Sequence, residues 1–179
     1  MRDGAMFWLG IGAATAGVLA LLYTSTHRPY VIASVKDDLR IPSRITPQAL
    51  DRAFEVIGAP RMVGLGQAFV QAERESGVHA VFLAALAVHE SNKGESRIAR
   101  EKKNLFGWGA IDSNPYDGAY AFHDEAAGIR YVASRIRALY FDEWQLYTLE
   151  GMNTRYSTDE NWKYAVLNWI RRLQDAGRD

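Results

Sequence analysis

The sequence contains no cysteine, and its 21 Lys and Arg side chains are balanced by 21 Asp and Glu side chains. The absence of cysteine excludes disulfides and thiolate metal sites, but it assigns no compartment, because cysteine-free proteins occur on both sides of membranes. The charge balance provides no bulk attraction to nucleic acid, which is therefore not an expected partner. The histidines at positions 27, 79, 89 and 123 lack metal-ligand spacing. We expect neither a metal nor another cofactor.

Charge is also lacking at the N-terminus, where residues 5–23 form an uncharged apolar run. This length is just sufficient for a membrane-spanning helix, and Trp8 and Tyr23 occupy the places of interfacial aromatics. The alternative is a cleaved signal peptide, but the positive region is minimal and no clean small-residue cleavage site follows. Small residues over 10–17 are compatible with a membrane protein partner. We predict a single transmembrane helix that contacts membrane lipid.

The remaining chain is long enough for one further domain with a linker. We predict a membrane anchor over residues 1–25, a juxtamembrane linker over 26–44 with a short strand at 30–35, and a folded domain over 45–179. Thr46 followed by Pro47 is a good helix start, since Thr caps the helix and proline suits its first position.

Helical periodicity and capping residues predict a mainly helical domain. Helices are expected at 47–57, 62–75, 78–90, 125–140 and from about 159 to 173, with a charged helical turn at 97–103 and a turn-rich link at 149–156. Between them, glycines at 107, 109 and 118 and the turn signals around Pro115 indicate a hairpin or a loop pair over 104–122, and we predict a small β-hairpin. The fold class predicted from these elements is α+β, mainly helical.

The apolar run from Val81 to Val88 leads directly into Glu90. A helix that is apolar on all sides lies in a core, so Glu90 is expected where a buried helix emerges into solvent. Burial and the negative end of the helix dipole both raise a carboxyl pKa. A carboxylic acid that stays protonated near neutral pH is the general acid of a glycosidase. The alternative is an ordinary helix-end carboxylate in water.

Aromatic residues are dense in the predicted hairpin, where they alternate with amides and carboxylates. Rings stack on the faces of sugars, while amides bind hydroxyl and N-acetyl groups. The alternative is that these rings form the small core of the hairpin. The candidates for substrate binding are Asn104, Phe106, Trp108 and Tyr116.

Four motifs together resemble an endo-β-N-acetylglucosaminidase domain of glycoside hydrolase family 73, the cell-wall autolysin type. They are H-E-S at 89–91, N-L-F-G-W-G-A at 104–110, D-S-N-P-Y at 112–116 and N-T-R-Y-S-T-D at 153–159, which precedes Asn161-Trp162. The resemblance covers roughly residues 46–173. It implies a lysozyme-like fold with a long groove, a catalytic Glu on a core helix and a β-hairpin as one wall.

The resemblance assigns roles to individual positions. Glu90 matches the general acid and Tyr156 the site tyrosine of the family. The second catalytic group is open: Asp112 is the first candidate, followed by the carboxylates at 117, 124 and 125, and a substrate-assisted route needs none of them. One departure lies directly after the acid, where Asn92 and Lys93 replace a glycine and an aromatic residue of the family pattern.

These observations predict a peptidoglycan hydrolase that cleaves the β-1,4 bond after N-acetylglucosamine in glycan strands. The predicted location is the cell membrane, single-pass, with the catalytic domain on the cell-wall side. One alternative is a muramidase or lytic transglycosylase of the same fold. The other is a catalytically inactive, membrane-held protein that binds the wall or belongs to a phage particle.

Overall fold

The computed structural model describes residues 29–110 and 114–178, and over these residues the secondary structure is helical. A 3₁₀ turn covers Pro60–Met62, and a π-helix covers Ile136–Glu143, directly after the α-helix Glu125–Arg135. The α-helices of this described part are α1 (Pro47–Val56), α2 (Gly66–Ser76), α3 (Ala80–Glu90), α4 (Arg97–Lys102), α5 (Pro115–Gly118), α6 (Glu125–Arg135), α7 (Leu149–Tyr156) and α8 (Trp162–Ala176).

Helix α3 forms the centre of the core. Every residue from Ala80 to Val88 is buried, as the uninterrupted apolar run predicts. A helix without a polar face needs partners on all sides, and α3 packs against α8 and α2, while α1 packs against both of these helices. Phe82, Leu83 and Leu86 are fully buried, and each burial contributes about 1.5–3 kcal/mol.

The start of α3 is fixed by a buried carboxylate on α2. Glu73 accepts hydrogen bonds from Ser43 N (2.6 Å), Ser43 Oγ (2.9 Å) and Ala80 N (3.0 Å). His79, the N-cap residue, accepts from Phe82 N through Nδ1 (3.3 Å) and donates its own backbone N–H to Leu39 O (2.9 Å). These bonds satisfy orphan N–H groups of the first turn and fix α3 along its axis.

The segment before α1 contributes to the same core. Ile32 and Leu39 are fully buried. The short strand predicted at residues 30–35 is not formed. The backbone of Ile32 forms hydrogen bonds with a side chain and not with a neighbouring strand. The Gln174 amide on α8 accepts from Ile32 N (2.8 Å) and donates to Ile32 O (3.1 Å).

Two helix boundaries differ from the sequence-based expectation. Helix α2 begins at Gly66 and not at 62, because Asp51 Oδ1 accepts from both Gly64 N (2.9 Å) and Gly66 N (2.8 Å) at this turn. A Cβ at position 66 would lie 2.2 Å from Pro47 O, so this close approach requires glycine. The predicted link over 149–156 is helix α7, which Thr148 caps by accepting from Gly151 N (3.0 Å).

The predicted β-hairpin after α4 is wrong. The described part of this segment is a loop that carries the short helix α5, and it contains no sheet. Side chains satisfy the loop's carbonyl groups in place of a strand ladder. The Asn104 amide donates to Trp108 O (3.0 Å) and Tyr120 O (2.9 Å), and the Lys102 ammonium donates to two further carbonyl groups. The predicted α+β class is therefore corrected to a helical one for the described residues.

The predicted single-pass membrane topology also requires correction. Within residues 29–110 and 114–178, no helix is both long enough and apolar enough to cross a bilayer. The predicted transmembrane segment, residues 5–23, lies outside the described residues. The assignment to the cell membrane and the contact with membrane lipid therefore have no support in the structure and are withdrawn.

Replacing Asn104 by alanine should destabilise the domain by about 2–4 kcal/mol, because buried carbonyl and N–H groups lose their partners. Asn104 is fully buried and its Oδ1 also accepts from Phe106 N (3.2 Å) and Trp108 N (3.1 Å). Denaturant unfolding measures the loss. The control is Asn114→Ala at an exposed position of the same loop. Equal, small losses for both variants would contradict a structural role of Asn104.

The boundary predicted at residue 45 stays a prediction that truncation tests. A chain that begins at Pro29 keeps Ile32 and Leu39, whereas a chain that begins at Ser43 loses both. The shorter chain should be less stable by about 3–6 kcal/mol, the contribution of two buried aliphatic side chains. Equal urea midpoints for the two chains would show that the folded unit begins near residue 45.

Candidate active site

Glu90 is the last residue of α3 and lies partly buried where this helix leaves the core. Its Oε1 accepts a hydrogen bond from the indole Nε1 of Trp162, at 3.2 Å. Burial raises the pKa of the Glu90 carboxyl, and this effect exceeds the lowering by the Trp162 hydrogen bond and by the charge of His89. A carboxyl group in this environment holds its proton to higher pH than an exposed one.

The turn after Glu90 is built from Ser91 to Gly94. Ser91 Oγ donates to Ala87 O and accepts from Gly94 N (2.7 Å). Asn92 and Lys93 adopt left-handed backbone conformations, with φ of 50° and 62°. Lys93 Nζ donates to Ile57 O at the end of α1 (3.0 Å). The departure from the family pattern at Lys93 thus places an ammonium group on the end of α1.

Tyr156 ends α7, and the structure brings it close to Glu90. Its ring stacks on that of Trp162, with centroids 4.6 Å apart and planes inclined by 26°. Burial raises the pKa of the Tyr156 hydroxyl well above 10, and the negative charges of Glu90 and Tyr140 raise it further. The hydroxyl therefore stays protonated and is available as a hydrogen-bond donor.

Two residues of this cluster were not predicted as site residues. Trp162 follows the last of the sequence motifs without an assigned role, but a buried indole N–H needs an acceptor, and here that acceptor is Glu90. Tyr140 lies in the π-helix, and its ring centroid is 5.9 Å from that of Tyr156. Short π-helical segments are frequent at functional sites. Their sequences carry no distinct signal.

The predicted sugar-binding residues are placed in and around the loop after α4. Asn104 and Phe106 are buried, and Trp108 is partly buried against the core. Tyr116 donates its hydroxyl to Glu101 Oε2 (2.6 Å), and the Arg97 guanidinium lies 3.9 Å from its ring centroid. Their predicted roles in substrate binding stay predictions, and Asn104 has its polar atoms engaged within the loop.

The candidates for a second catalytic carboxylate have other partners or are not described. Asp112 lies outside the described residues. Asp124 caps α6 by accepting from Ala127 N (2.7 Å), Glu125 pairs with Lys103 (3.2 Å), and Asp117 accepts from Asn114 (3.0 Å). Within residues 29–110 and 114–178, no group of three or more acidic or histidine side chains is arranged to hold a metal ion.

Comparison with known proteins identifies relatives of the domain. The family model described as mannosyl-glycoprotein endo-beta-N-acetylglucosaminidase matches residues 66–177. A Streptococcus pneumoniae protein named as an endo-beta-N-acetylglucosaminidase is 29% identical over 149 residues, which cover 79% of this chain and 23% of that protein. The chain thus spans about a quarter of the length of this relative.

The fold is shared with Autolysin E of S. aureus. A structure of its catalytic mutant, in which a glutamate is replaced by alanine, holds the disaccharide NAG-NAM and aligns with a TM-score of 0.68 at 20% identity, covering 84% of this chain and 76% of that one. A second structure holds the muropeptide NAM-L-Ala-D-iGlu and aligns with a TM-score of 0.69 at 20% identity, covering 82% and 74%. At this identity the likeness shows the fold alone.

The family predicted from the sequence motifs is confirmed, because its model covers more than half of the chain. The matched residues run from α2 to α8 and include the acid Glu90 with its neighbours Tyr156 and Trp162. The chain belongs to the glucosaminidase family, whose model is described as an endo-beta-N-acetylglucosaminidase.

Proposed function

We propose that the protein hydrolyses the β-1,4 bond after N-acetylglucosamine in peptidoglycan, with Glu90 as the general acid. The observation that carries the proposal is a carboxyl group at the end of a fully buried helix, with its pKa raised by burial and an aromatic wall beside it. Peptidoglycan as the substrate is supported by the disaccharide and muropeptide bound in the Autolysin E structures.

Glu90 would act by protonating the leaving oxygen of the glycosidic bond. A sugar alkoxide is a poor leaving group, so proton transfer lowers the barrier as the bond between the anomeric carbon and this oxygen breaks. General acid catalysis of this kind contributes roughly 10²–10⁴-fold to the rate. The raised pKa of the Glu90 carboxyl keeps the acid form populated closer to neutral pH.

We favour a substrate-assisted route for the other half of the reaction. The 2-acetamido oxygen of the substrate attacks the anomeric carbon while Glu90 gives its proton to the leaving oxygen. Water then opens the cyclic intermediate and returns a proton to the Glu90 carboxylate. The described groups that bond to or act on the Glu90 carboxyl support this route, because they are Trp162, Tyr156 and His89 and include no second carboxylate.

Tyr156 would assist by holding the acetamido group. Its hydroxyl stays protonated because burial and the charge of Glu90 raise its pKa, and a neutral phenol donates a hydrogen bond to an amide oxygen. The alternative is an inverting route, which needs a base about 6.5–9.5 Å from the acid. Asp112 remains the first candidate for that base.

Replacing Glu90 by glutamine should abolish hydrolysis while the variant still folds and binds peptidoglycan. Glutamine has nearly the same shape but no transferable proton, so the rate should fall by at least roughly 10²–10⁴-fold. In the wild-type protein, activity should be present below the Glu90 pKa and be lost as pH rises through it. Because this pKa is raised, the basic limb should lie above the free-glutamate value of about 4.3.

Glu95→Gln is the matched control for this variant. Glu95 follows the same turn, is exposed, and pairs with Arg61 at 2.9 Å. It should hydrolyse peptidoglycan at the wild-type rate. Wild-type hydrolysis by Glu90→Gln would mean that Glu90 is only a helix end.

The released ends identify the bond that is cleaved. Hydrolysis after N-acetylglucosamine should leave N-acetylglucosamine at the new reducing ends, which reductive labelling and mass spectrometry detect. A muramidase would leave reducing N-acetylmuramic acid, and a lytic transglycosylase would leave an anhydro product. Either of these products would refute the proposed bond while leaving the role of Glu90 as an acid open to the substitution test.

A further inference from the structure

The only donor that the structure gives to the Glu90 carboxyl among the described residues is the indole of Trp162. Its Nε1 lies 3.2 Å from Glu90 Oε1, and Trp162 is buried, with 4% of its surface exposed. An indole N–H donates and does not accept. The contact therefore distinguishes the two oxygens of the carboxyl group, and the proposed mechanism makes no use of this difference.

We infer that Trp162 is a positioning residue that directs the transferable proton of Glu90 to Oε2 and holds this oxygen towards the substrate. A protonated carboxyl has one hydroxyl oxygen and one carbonyl oxygen, and the carbonyl oxygen is the better acceptor. Because Oε1 accepts the indole N–H, the hydroxyl is placed on Oε2. This inference rests on the proposed role of Glu90 as the general acid.

The position of the indole is well defined by its surroundings. One face stacks on Tyr156 with centroids 4.6 Å apart, and the backbone N of Trp162 donates to Asp159 O (3.2 Å). Buried Asn153 closes the turn before α8, since its amide donates to Asp159 O (2.9 Å) and its Oδ1 accepts from Lys163 N (3.3 Å). An indole donor that is held by the Tyr156 ring and by the hydrogen bonds of its own turn can orient the carboxyl group at the end of α3.

The same hydrogen bond changes strength during the reaction. When Glu90 gives up its proton, the contact becomes an N–H to carboxylate bond, which is shorter and stronger than its neutral counterpart. It thus favours the charge that develops on Glu90 and lowers the pKa that burial raises. The other titratable groups that act on this site are His89 on the same helix and Tyr156 on α7.

The test is Trp162→Phe in the full chain, which keeps an aromatic ring against Tyr156 and removes only the donor. We expect kcat to fall by about 10- to 100-fold, the scale of a misplaced catalytic group. The basic limb of the pH–kcat profile should move to higher pH, because the bond that lowers the Glu90 pKa is gone. Trp169→Phe, seven residues further along α8 in a stack with Lys93 and Arg172, should change neither quantity.

The outcomes separate this inference from the proposed function. If Glu90→Gln hydrolyses peptidoglycan at the wild-type rate, Glu90 is not the general acid, and this inference fails together with the proposed function. If Glu90→Gln is inactive while Trp162→Phe keeps the wild-type kcat and basic limb, Trp162 does not position the acid, and the role of Glu90 stands. A lower kcat with an unmoved basic limb assigns Trp162 to packing and also overturns the inference.

A measurement on the wild-type protein covers the case in which Trp162→Phe does not fold. The indole N–H resonance of Trp162, assigned by NMR, should move downfield as Glu90 ionises, because the bond to a carboxylate is stronger. The same resonance should be independent of pH over this range in Glu90→Gln. A Trp162 resonance that does not titrate in the wild-type protein overturns the inference.

Discussion

The burial of α3 from Ala80 to Val88 is the constraint on which the rest of the structure depends. Because this helix has no polar face, α2 and α8 pack against it, and α1 packs in turn on both of these helices. Its start is fixed by the Glu73 carboxylate, which binds both Ser43 and Ala80. The other end of the same rigid element is Glu90. The position of the candidate acid is therefore set by core packing, which is more precise than a loop could provide.

The chemistry of the site depends on a balance between burial and one hydrogen bond. Apolar surroundings raise the Glu90 pKa, and the Trp162 indole lowers it. Burial favours the protonated form of the Glu90 carboxyl, whereas a general acid must also release its proton during the reaction. Helix α8 supplies the opposing contribution through the indole of Trp162, on which the ring of Tyr156 from α7 stacks. A buried acid that has a single neutral donor suits both halves of a proton-transfer cycle.

Local sequence signals predicted the elements that depend on local interactions. The apolar run of α3 and the Thr46 cap of α1 were predicted correctly, because each is decided within a few residues. The β-hairpin was wrong because side chains of Lys102 and Asn104 take the carbonyl groups that a strand ladder would use. Glycine and aromatic alternation cannot reveal such a substitution, since it depends on tertiary contacts.

The candidate site was predicted in part for the same reason. The family motifs assign roles to Glu90 and Tyr156, whereas the role of Trp162, which follows the last motif, becomes recognisable only through a partner 72 residues away in the chain. Helix α7 was read as a link because Gly151 lies inside it and glycine is a poor helix former. Capping by Thr148 and packing of α7 on α8 offset that cost. Tertiary contacts decide both cases.

The departure from the family pattern at Asn92 and Lys93 shows how the site tolerates change beside the acid. Lys93 donates to Ile57 O and lies 5.7 Å from the Trp169 ring centroid, so it ties the turn to α1 and α8. Glu90 already has its orientation from α3 and its donor from Trp162. Neither of these contacts involves the turn. Residues 92 and 93 can therefore contribute to packing without changing the arrangement of Glu90, Trp162 and Tyr156.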